Sequence, residues 1–382
     1  MGIPANHKKT FRLVLSGYYG FRNSGDEAVL KSILLALETA AEESDIRIEP
    51  IVLSIDPVST REMYGVDARH RMRPAEVMAA LRESDGLISG GGSLLQDATG
   101  AKTIPYYAGV LKLAQILGKP TFIYSQGIGP VNRRWMDPMI RHVMRRSAYV
   151  SVRDPESADL LGRMGVDRSR IEVVPDPVMA MPLPDQAEVV GASEPVAGAE
   201  RVPVVGVSLR YWRKDRQDLD RAAEALAILA RSREVRLRFL PFHTPDDAEA
   251  STYVMERLGA IGNSTAELVS LGEDPQQMLL TVSSCDLLIG MRLHALIYAA
   301  NQSVPMLGLS YDPKIDQFLG RLGLRAIGTT DTLDPDAMAT AAVELLDNGE
   351  VWRARHADAI EALRSQALLP AQQIVRLIRQ IQ

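Results

Sequence analysis

The chain has 382 residues, of which 46% are hydrophobic and 24% are charged, and its formal net charge is −5. This length is too great for one ordinary hydrophobic core and predicts at least two domains, while the negative charge excludes a bulk attraction to nucleic acid or anionic lipid. The single cysteine, Cys285, excludes an intrachain disulfide and a zinc site built on several cysteines.

The sequence carries no recognisable targeting or membrane segment. The N-terminal stretch "MGIPANHKKTFRLVLSGYYG" holds an apolar run of about five residues, which is too short for a secretory signal. No window approaches the roughly 18 apolar residues of a membrane span. We therefore expect a cytoplasmic protein.

In the first half of the chain, apolar runs of strand length alternate with helical patterns. The predicted strands are 11–17, 48–56, 86–92, 120–129, 149–154 and 171–176. The predicted helices are 26–43, 74–84, 104–117, 135–146 and 155–165. Strands that read as continuous apolar runs and alternate with helices pair in parallel, so this half predicts a parallel sheet covered on both faces, in a domain over 1–182.

Residues 183–203 interrupt this alternation with a stretch rich in Pro, Gly, Ala and Glu, which indicates an interdomain linker. The alternation restarts in a second domain over 204–348. Residues 349–382 have a helical pattern, and we expect these helices to pack back on the first domain. The predicted fold class is thus α/β, with two Rossmann-like domains facing a cleft. Ligands of such sheets bind beyond the carboxyl ends of the strands.

The run "LLIGMRLHALIYAAN" (287–301) carries Arg292 and His294 inside an otherwise apolar segment. The pattern predicts a strand, a turn at Gly290 and a helix beginning near Arg292, with both polar side chains in its first turn. The free N–H groups of a helix N-terminus favour an anion, and a guanidinium adds a planar fork for carboxylate or phosphate. The alternative is an Arg paired with a nearby Asp, beside a core His.

Three further cations follow predicted strands. Arg153 and Arg210 end strands in opposite domains, and Lys314 follows the strand 304–310. Each also fits an ordinary charged residue at the point where the chain meets solvent. Together with Arg292 they would give the cleft up to four cations, which suits a small, multiply charged anion.

The loop "GYYGFRNSGDEAVL" (17–30) follows the first strand, and its glycines do not fit the dinucleotide pattern G-x-G-x-x-G. Ser24-x-x-Glu27 predicts a capping box, in which Glu27 has a structural role. That cap does not need Asp26, which is therefore the better candidate for an acid or base. Asn23 and Ser24 are candidates for hydrogen bonds to a polyhydroxylated ligand.

A second glycine-rich loop, "SGGGSLLQD" (89–97), contains Gly91 and Gly92. Its glycines let the backbone approach a ligand closely, and we expect it to present N–H groups at a helix start. No P-loop, HExxH or G-x-S-x-G motif occurs, and the six histidines lack metal-ligand spacing, so we expect no metal.

The basic segment 132–147 predicts an amphipathic helix, with apolar residues on one face and Arg134, Arg141 and Arg145 away from it. Such a helix is either an ordinary surface helix or a contact with anionic lipid or a lipid diphosphate.

Five motifs, in order between about residues 13 and 318, resemble the polysaccharide pyruvyl transferase family of the bacterial cell-wall type. They read "GYYGFRNSGDEAVL", "ISGGGSLLQD", "YSQGIGPV", "SVRDPESADLL" and "GMRLHALIYA". The resemblance implies a GT-B-like fold and transfer of the enolpyruvyl moiety of phosphoenolpyruvate onto a sugar. It further implies a 4,6-ketal on N-acetylmannosamine of a lipid-linked precursor, with phosphoenolpyruvate as donor substrate and no cofactor.

The resemblance also implies roles for particular residues. Arg292 and His294 match the donor-binding R-L-H motif, and a downstream Lys of the family fits Lys314. An upstream Arg of the family fits Arg153 better than Arg210. In the same way Asp26 would be the acid or base near the acceptor.

Two other functions remain open from the sequence. A GT-B glycosyltransferase using a nucleotide sugar would have the same fold, although four cations are more than a diphosphate needs. A non-catalytic sugar- or anion-binding protein would bind both substrates without releasing phosphate.

Overall fold

The computed structural model describes residues 8–98, 100–184, 201–270 and 274–380, so most of the predicted linker lies outside the described residues. Contacts divide the chain into two compact units. The first unit comprises the chain up to Met181 together with the chain from Leu363 onward, and the second comprises Pro182–Ala362. Each unit has its own parallel sheet, which confirms the predicted α/β class with two Rossmann-like domains.

The first unit alternates strands with helices. Its strands are β1 (Lys9–Tyr19), β2 (Ile46–Ser54), β3 (Asp67–His70), β4 (Gly86–Gly90), β5 (Thr121–Gln126), β6 (Tyr149–Val152) and β7 (Ile171–Val173). Its helices are α1 (Ser24–Glu43), α2 (Pro57–Tyr64), α3 (Pro74–Glu83), α4 (Thr103–Ile116), α5 (Asp137–Arg146) and α6 (Pro155–Arg163). Consecutive residues of β1, from Leu13 to Leu15, are fully buried, because helices cover both faces of the sheet.

The second unit repeats this plan. Its strands are β8 (Val204–Ser208), β9 (Arg236–Phe239), β10 (Thr265–Leu268), β11 (Leu287–Gly290), β12 (Met306–Ser310) and β13 (Gly328–Thr329). Its helices are α7 (Gln217–Ser232), α8 (Asp246–Met255), α9 (Pro275–Ser283), α10 (Leu293–Asn301), α11 (Pro313–Arg321), α12 (Pro335–Asp347) and the part of α13 (Gly349–Arg379) that precedes Leu363.

Each sheet has a point at which the strand order reverses. The order in the first unit is β3-β2-β1-β4-β5-β6-β7, and in the second it is β10-β9-β8-β11-β12-β13. The chain therefore builds outward from β1 and from β8, then returns to the other side of the same strand. Ligands of open α/β sheets bind at such switch points, beyond the carboxyl ends of the two strands. The fold thus places one candidate site after β1 and β4 and another after β8 and β11.

The boundary at the C-terminal end differs from the predicted one. We expected a division between residues 348 and 349, whereas contacts divide the chain between Ala362 and Leu363, inside the 31-residue helix α13. The buried residues of this part of α13 recur at helical spacing and are Leu363, Ala367, Pro370, Ala371, Ile374, Val375 and Ile378.

Three local expectations were wrong or incomplete. The pattern did not identify α2 and β3, which together fill residues 57–70. The loop after β4 does not lead directly into a helix, because α4 begins only at Thr103. The helix of the R-L-H motif begins at Leu293, so that Arg292 is its N-cap residue and only His294 lies in its first turn.

Candidate functional site

At the switch point of the first unit, the loop after β4 lies close to the first turns of α1. Gly91 and Gly92 have φ angles of +52° and +68°, and a Cβ atom on Gly91 would overlap Val29. A Cβ atom on Gly92 would lie 3.0 Å from Oδ1 of Asp26. Only glycine tolerates both this backbone conformation and this approach. The structure thus brings Asp26 together with Gly91 and Gly92 at the strand ends.

The predicted capping box of α1 is wrong in register. The N-cap residue is Asn23, whose Oδ1 accepts a hydrogen bond of 3.1 Å from the backbone N–H of Gly25. Glu27 is buried, and its carboxylate instead accepts hydrogen bonds from the Gly20 backbone N–H (2.8 Å) and the Tyr64 hydroxyl (2.7 Å). Glu27 is therefore structural, as expected, but it fixes the loop after β1. Ser24 is the first residue of the helix and is half-buried.

Arg153 lies in the first unit, just beyond the end of β6. Its Nη2 donates a 2.7 Å hydrogen bond to Oγ of Ser93, and a Cβ atom on Gly127 would lie 2.8 Å from its Nε. Asp154 and Asp176 have carboxylate oxygens 3.7 and 3.8 Å from its guanidinium. The side chain is only 11% exposed. Arg153 thus joins the loops after β4, β5 and β6, and two carboxylates already balance its charge.

Sequence reasoning missed a buried arginine in the same unit. Arg71 follows β3 and is 6% exposed. Its Nη1 donates a 2.6 Å hydrogen bond to the Gly17 carbonyl, and its Nη2 donates one of 3.0 Å to the Tyr107 hydroxyl. In the described part of the chain, no carboxylate lies within ion-pair distance of Arg71, and its Nε donates no hydrogen bond. The short strand "DARH" before it has no hydrophobic pattern, so the sequence carries no signal for this position.

Aromatic rings surround this guanidinium. Its central carbon lies 4.6 Å from the ring centre of Tyr106, 5.2 Å from that of Tyr107, 5.4 Å from that of Phe21 and 5.9 Å from that of Tyr18. Burial raises the pKa of Tyr107 to about 12, against an opposing effect of Arg71.

Tyr18 and Tyr19 also have raised pKa values, chiefly through burial and next through the negative charge of Asp26. A Cβ atom on Gly90 would lie 2.8 Å from the Tyr19 hydroxyl, as one on Gly92 would lie close to Asp26, so the end of β1 and Asp26 both adjoin the loop after β4. The end of β1 therefore combines aromatic rings with the candidate acid or base.

At the switch point of the second unit, two arginines occupy equivalent places on neighbouring strands. Ser208 of β8 pairs with Gly290 of β11 in the parallel register. Arg210 and Arg292 each follow their member of this pair by two residues. The two candidate cations therefore extend from adjacent strand ends.

Arg292 forms a bidentate ion pair with the fully buried Asp247. Its Nε donates a 2.9 Å hydrogen bond to one carboxylate oxygen, and its Nη2 donates to the other. Asp247 also accepts hydrogen bonds from the backbone N–H groups of Phe242 (3.1 Å) and His243 (2.9 Å). The pairing with an Asp that the sequence left open is thus present, and it leaves Nη1 outside the ion pair.

Arg210 and Lys314 both lie against Tyr311. Arg210 donates a 3.0 Å hydrogen bond from Nη1 to the Tyr311 hydroxyl, and the Lys314 ammonium lies 5.8 Å from the ring centre. Lys314 is also 3.3 Å from the carboxylate of Asp312, the N-cap residue of α11. No carboxylate in the described ranges lies within ion-pair distance of Arg210, which instead has the half-exposed Trp212 ring 5.5 Å away.

The predicted site residues therefore fall into two local groups. The first unit carries Asn23, Ser24, Asp26, Gly91, Gly92 and Arg153, and the second carries Arg210, Arg292, His294 and Lys314. Among the described residues, no group of three or more His, Cys, Asp or Glu side chains is placed to hold a metal ion. No helix within the described ranges is both long and apolar enough to cross a membrane.

The two parallel sheets with glycine-lined and cation-lined switch points define a GT-B-like α/β protein. The sequence profile of the family "Polysaccharide pyruvyl transferase" matches residues 23–313, which is most of the chain. The chain therefore belongs to the polysaccharide pyruvyl transferase family, as the ordered motifs predicted, and it is a transferase of a family that implies a polysaccharide acceptor. Among curated proteins, no significant sequence match is found.

Several solved structures share this fold. A protein assigned as a UDP-N-acetylglucosamine 2-epimerase from Listeria monocytogenes has a TM-score of 0.66 at 16% identity, covering 97% of this chain and 96% of that one. The UDP-GlcNAc 2-epimerase of Neisseria meningitidis, bound to UDP-GlcNAc, has a TM-score of 0.62 at 10% identity, with 98% and 100% covered.

Anabaena Alr3699/HepE, in complex with UDP-glucose, has a TM-score of 0.57 at 14% identity, with 97% and 100% covered. At these identities the likeness shows the fold alone, and it confirms the GT-B-like prediction.

Proposed function

We propose that this chain transfers the enolpyruvyl group of phosphoenolpyruvate to a sugar of a cell-wall polysaccharide precursor and releases phosphate. The product would be a 4,6-ketal on N-acetylmannosamine, as the motifs imply. Beyond the family itself, one observation supports the proposal most. Three cations follow the neighbouring strands β8, β11 and β12 of the second unit, at its switch point.

This arrangement suits phosphoenolpyruvate because the donor carries a carboxylate and a phosphate close together. Arg210 is the best-placed cation for direct contact, since its charge is not balanced by a described carboxylate. Lys314 would supply a second point charge, because its ammonium group also lies against the Tyr311 ring. Arg292 would offer Nη1 while Asp247 holds the guanidinium in a fixed orientation. His294, in the first turn of α10, would donate a proton or hydrogen bond to the donor.

Arg153 is a weaker candidate for binding phosphoenolpyruvate than the resemblance to the family implied. Asp154, Asp176 and Ser93 already surround its guanidinium. Its contacts favour a role in holding the loops around Asp26 in place.

The proposed reaction requires different roles of the candidate residues in the first and second units. One sugar hydroxyl adds to C2 of phosphoenolpyruvate while C3 takes up a proton, and the hydroxyl proton passes to a base. A second hydroxyl then replaces phosphate at C2, losing its own proton as the C–O bond to phosphate breaks. Asp26 would act as acid or base for the acceptor hydroxyls. The arginines and Lys314 would stabilise the charge that develops on the departing phosphate. This scheme uses no cofactor.

A phosphate-release screen tests the proposal directly. Phosphoenolpyruvate is incubated with the protein and a panel of N-acetylmannosamine, N-acetylglucosamine and galactose glycosides, and the products are analysed by mass spectrometry. Acceptor-dependent phosphate release with a pyruvylated product supports the proposal. Binding of both substrates without release would instead support a non-catalytic binding protein. Sugar transfer from UDP-glucose or UDP-GlcNAc would support a glycosyltransferase.

A lipid-linked acceptor would place the protein at the inner face of the membrane, and α5 is the surface we propose for that contact. Its apolar face is buried, while Arg141, Arg145 and Arg146 are exposed and have no described carboxylate within ion-pair distance. The exposed Trp135 ring precedes the helix. Because the apolar face of α5 packs inside the protein, the contact would be made by its exposed arginines, which attract anionic lipid, and by Trp135.

Co-sedimentation with phosphatidylglycerol vesicles tests this contact. The double variant Arg141→Gln/Arg145→Gln should lose most vesicle binding. The matched control, Arg231→Gln/Arg355→Gln, removes the same charge from exposed positions of the second unit and should bind like the wild type. Equal binding by the wild type and both variants would refute the assignment to α5.

A further inference from the structure

We propose that the stacked rings of Tyr18 and Phe21, beside Asp26, form a shelf on which the ring of the acceptor sugar lies. This inference rests on the proposed function, because it assigns the acceptor subsite of the same reaction. It concerns the first unit alone. Neither ring could be identified from the sequence, since both lie in the segment 17–30 that was predicted as a loop.

The two rings form a parallel stack. Their centroids are 3.9 Å apart and their planes differ by 4°. Tyr18 is 40% exposed and Phe21 is half-buried, whereas the neighbours of Tyr18 on β1, Gly17 and Tyr19, are buried. A stack of flat rings at a switch point, with Tyr18 exposed, is a surface that a ligand can cover with a gain in apolar contact.

The backbone beneath the shelf is held on both sides. The Tyr19 hydroxyl donates a 3.1 Å hydrogen bond to the Gly90 carbonyl, which ties the end of β1 to the end of β4. The buried Arg71 guanidinium donates to the Gly17 carbonyl and also lies against both stacked rings. A rigid platform binds with a smaller loss of conformational entropy than a mobile one.

The chemistry around the shelf favours a neutral polyol. A pyranose presents axial C–H bonds on one face and hydroxyls around its edge, so its face matches an aromatic ring and its edge needs polar partners. Asp26 supplies a carboxylate beside the loop after β4, where it lies close to the Gly92 backbone. A nucleobase would also stack on these rings, so UMP serves as the competing ligand in the test below.

The shelf predicts a selective effect on the acceptor. Tyr18→Ala should raise the acceptor KM in the phosphate-release reaction by about tenfold or more, with the phosphoenolpyruvate KM unchanged. Tyr18→Phe keeps the ring and should stay within about twofold of the wild type. Val58→Ala, at an exposed apolar position elsewhere in the first unit, is the matched control and should have no effect.

A direct binding experiment separates this inference from the proposed function. Saturation-transfer NMR would detect methyl N-acetyl-β-D-mannosaminide on the wild type and not on Tyr18→Ala, without any need for turnover. Loss of the signal in Tyr18→Ala supports the shelf, even if the phosphate-release screen fails and the proposed function falls. An equal signal in both proteins overturns the shelf, even if the wild type releases phosphate.

Two further results would also overturn it. One is the absence of a sugar signal on the wild type at about 10 mM, the weak end of monosaccharide affinity. The other is displacement of the sugar by UMP, which would identify the shelf as a nucleobase platform.

Discussion

Arg292 combines two properties that single-residue experiments can separate. Two of its guanidinium nitrogens donate to the buried carboxylate of Asp247, and that carboxylate also accepts two backbone N–H groups of the segment after β9. The pair therefore ties the segment before α8 to the N-terminus of α10. An arginine side chain held in this way is oriented before a ligand binds, which lowers the entropic cost of binding.

Arg292→Ala should affect both stability and donor binding. Removing one partner of a buried pair leaves Asp247 uncompensated and should lower the free energy of unfolding by about 3 kcal/mol. Denaturant unfolding measures this loss, and calorimetry should show that phosphoenolpyruvate no longer binds. Asp247→Asn is the control, because it weakens the pair but retains Arg292. An Arg292→Ala protein that binds phosphoenolpyruvate like the wild type would show that Arg292 is structural only.

A comparison of Arg210 with Arg153 decides which arginine contacts the donor. Arg210→Gln should weaken phosphoenolpyruvate binding by about ten- to a hundredfold, the loss expected for one charge-assisted hydrogen bond, with little change in stability. Arg153→Gln should instead lower the unfolding midpoint, because Asp154 and Asp176 lose their shared cation. The opposite pattern, with donor affinity lost only in Arg153→Gln, would return the donor role to Arg153.

At the scale of elements, Asp97 connects two of the loops at the carboxyl edge of the first sheet. Its carboxylate accepts hydrogen bonds from the Asn132 backbone (2.9 Å) and side chain (2.9 Å), and from the Arg133 backbone (2.8 Å). These bonds, led by the one from the Asn132 backbone, hold the pKa of Asp97 below its usual range. The loop after β4 is thereby fixed to the segment before α5.

Asp97→Asn should reduce stability in a pH-dependent way. A carboxyl group whose pKa is lower in the folded state stabilises the fold above its unfolded pKa of about 3.9, and this contribution disappears as pH falls through the folded pKa. At pH 7 the variant should therefore unfold about 5 °C below the wild type, and the difference should narrow below about pH 4. Thermal unfolding followed by circular dichroism measures both. A difference that stays constant from pH 7 to pH 3 would contradict this role.

Elements with strong apolar periodicity were predictable, and short or polar ones were not. β1, β8 and β11 read as buried strands because each contains a continuous apolar run, such as Leu13–Leu15 in β1. β3 has the sequence "DARH", and no hydrophobic pattern marks it, so Arg71 after it had no predicted place. The hydrogen-bond partners of Arg71 are Gly17 and Tyr107, which lie 54 and 36 residues away in the sequence. Such contacts depend on the tertiary fold rather than on local pattern.

The candidate site was also only partly predictable from the sequence. The sequence could show that the candidate residues follow strand ends, because Gly290 and Gly92 break apolar runs. The partners of each cation could not be predicted from the sequence, since Asp247 lies 45 residues from Arg292 and Tyr311 lies 101 residues from Arg210. The capping register of α1 was also misread, because Asn23 and Ser24 are both good N-cap residues and only the backbone decides between them.

For the whole molecule, the chain from Leu363 onward is assigned to the first unit although it follows the second in sequence. Its buried residues include Leu363, Ile374 and Ile378. Each such side chain contributes about 1.5–3 kcal/mol through burial. The end of the chain is therefore needed for the stability of a domain that begins at β1.

A chain truncated after Ala362 should be less stable in its first unit, or should aggregate through the exposed apolar surface. The control is a chain ending at Gln380, which keeps all of α13 and should unfold like the wild type. Denaturant unfolding with a probe in the first unit, such as Trp135 fluorescence, measures the effect. An unchanged midpoint after truncation at Ala362 would show that this helix adds nothing to the first unit.

The central claim is that the cations at the β8–β11 switch point bind phosphoenolpyruvate, and calorimetric titration of the wild type tests it most directly. Parallel titrations with phosphoenolpyruvate, sulfate and UDP compare the proposed donor with a simple anion and with the nucleotide of the structural neighbours. We expect saturable binding of phosphoenolpyruvate and much weaker binding of both sulfate and UDP. Tight UDP binding, with phosphoenolpyruvate bound no better than sulfate, would contradict the donor assignment.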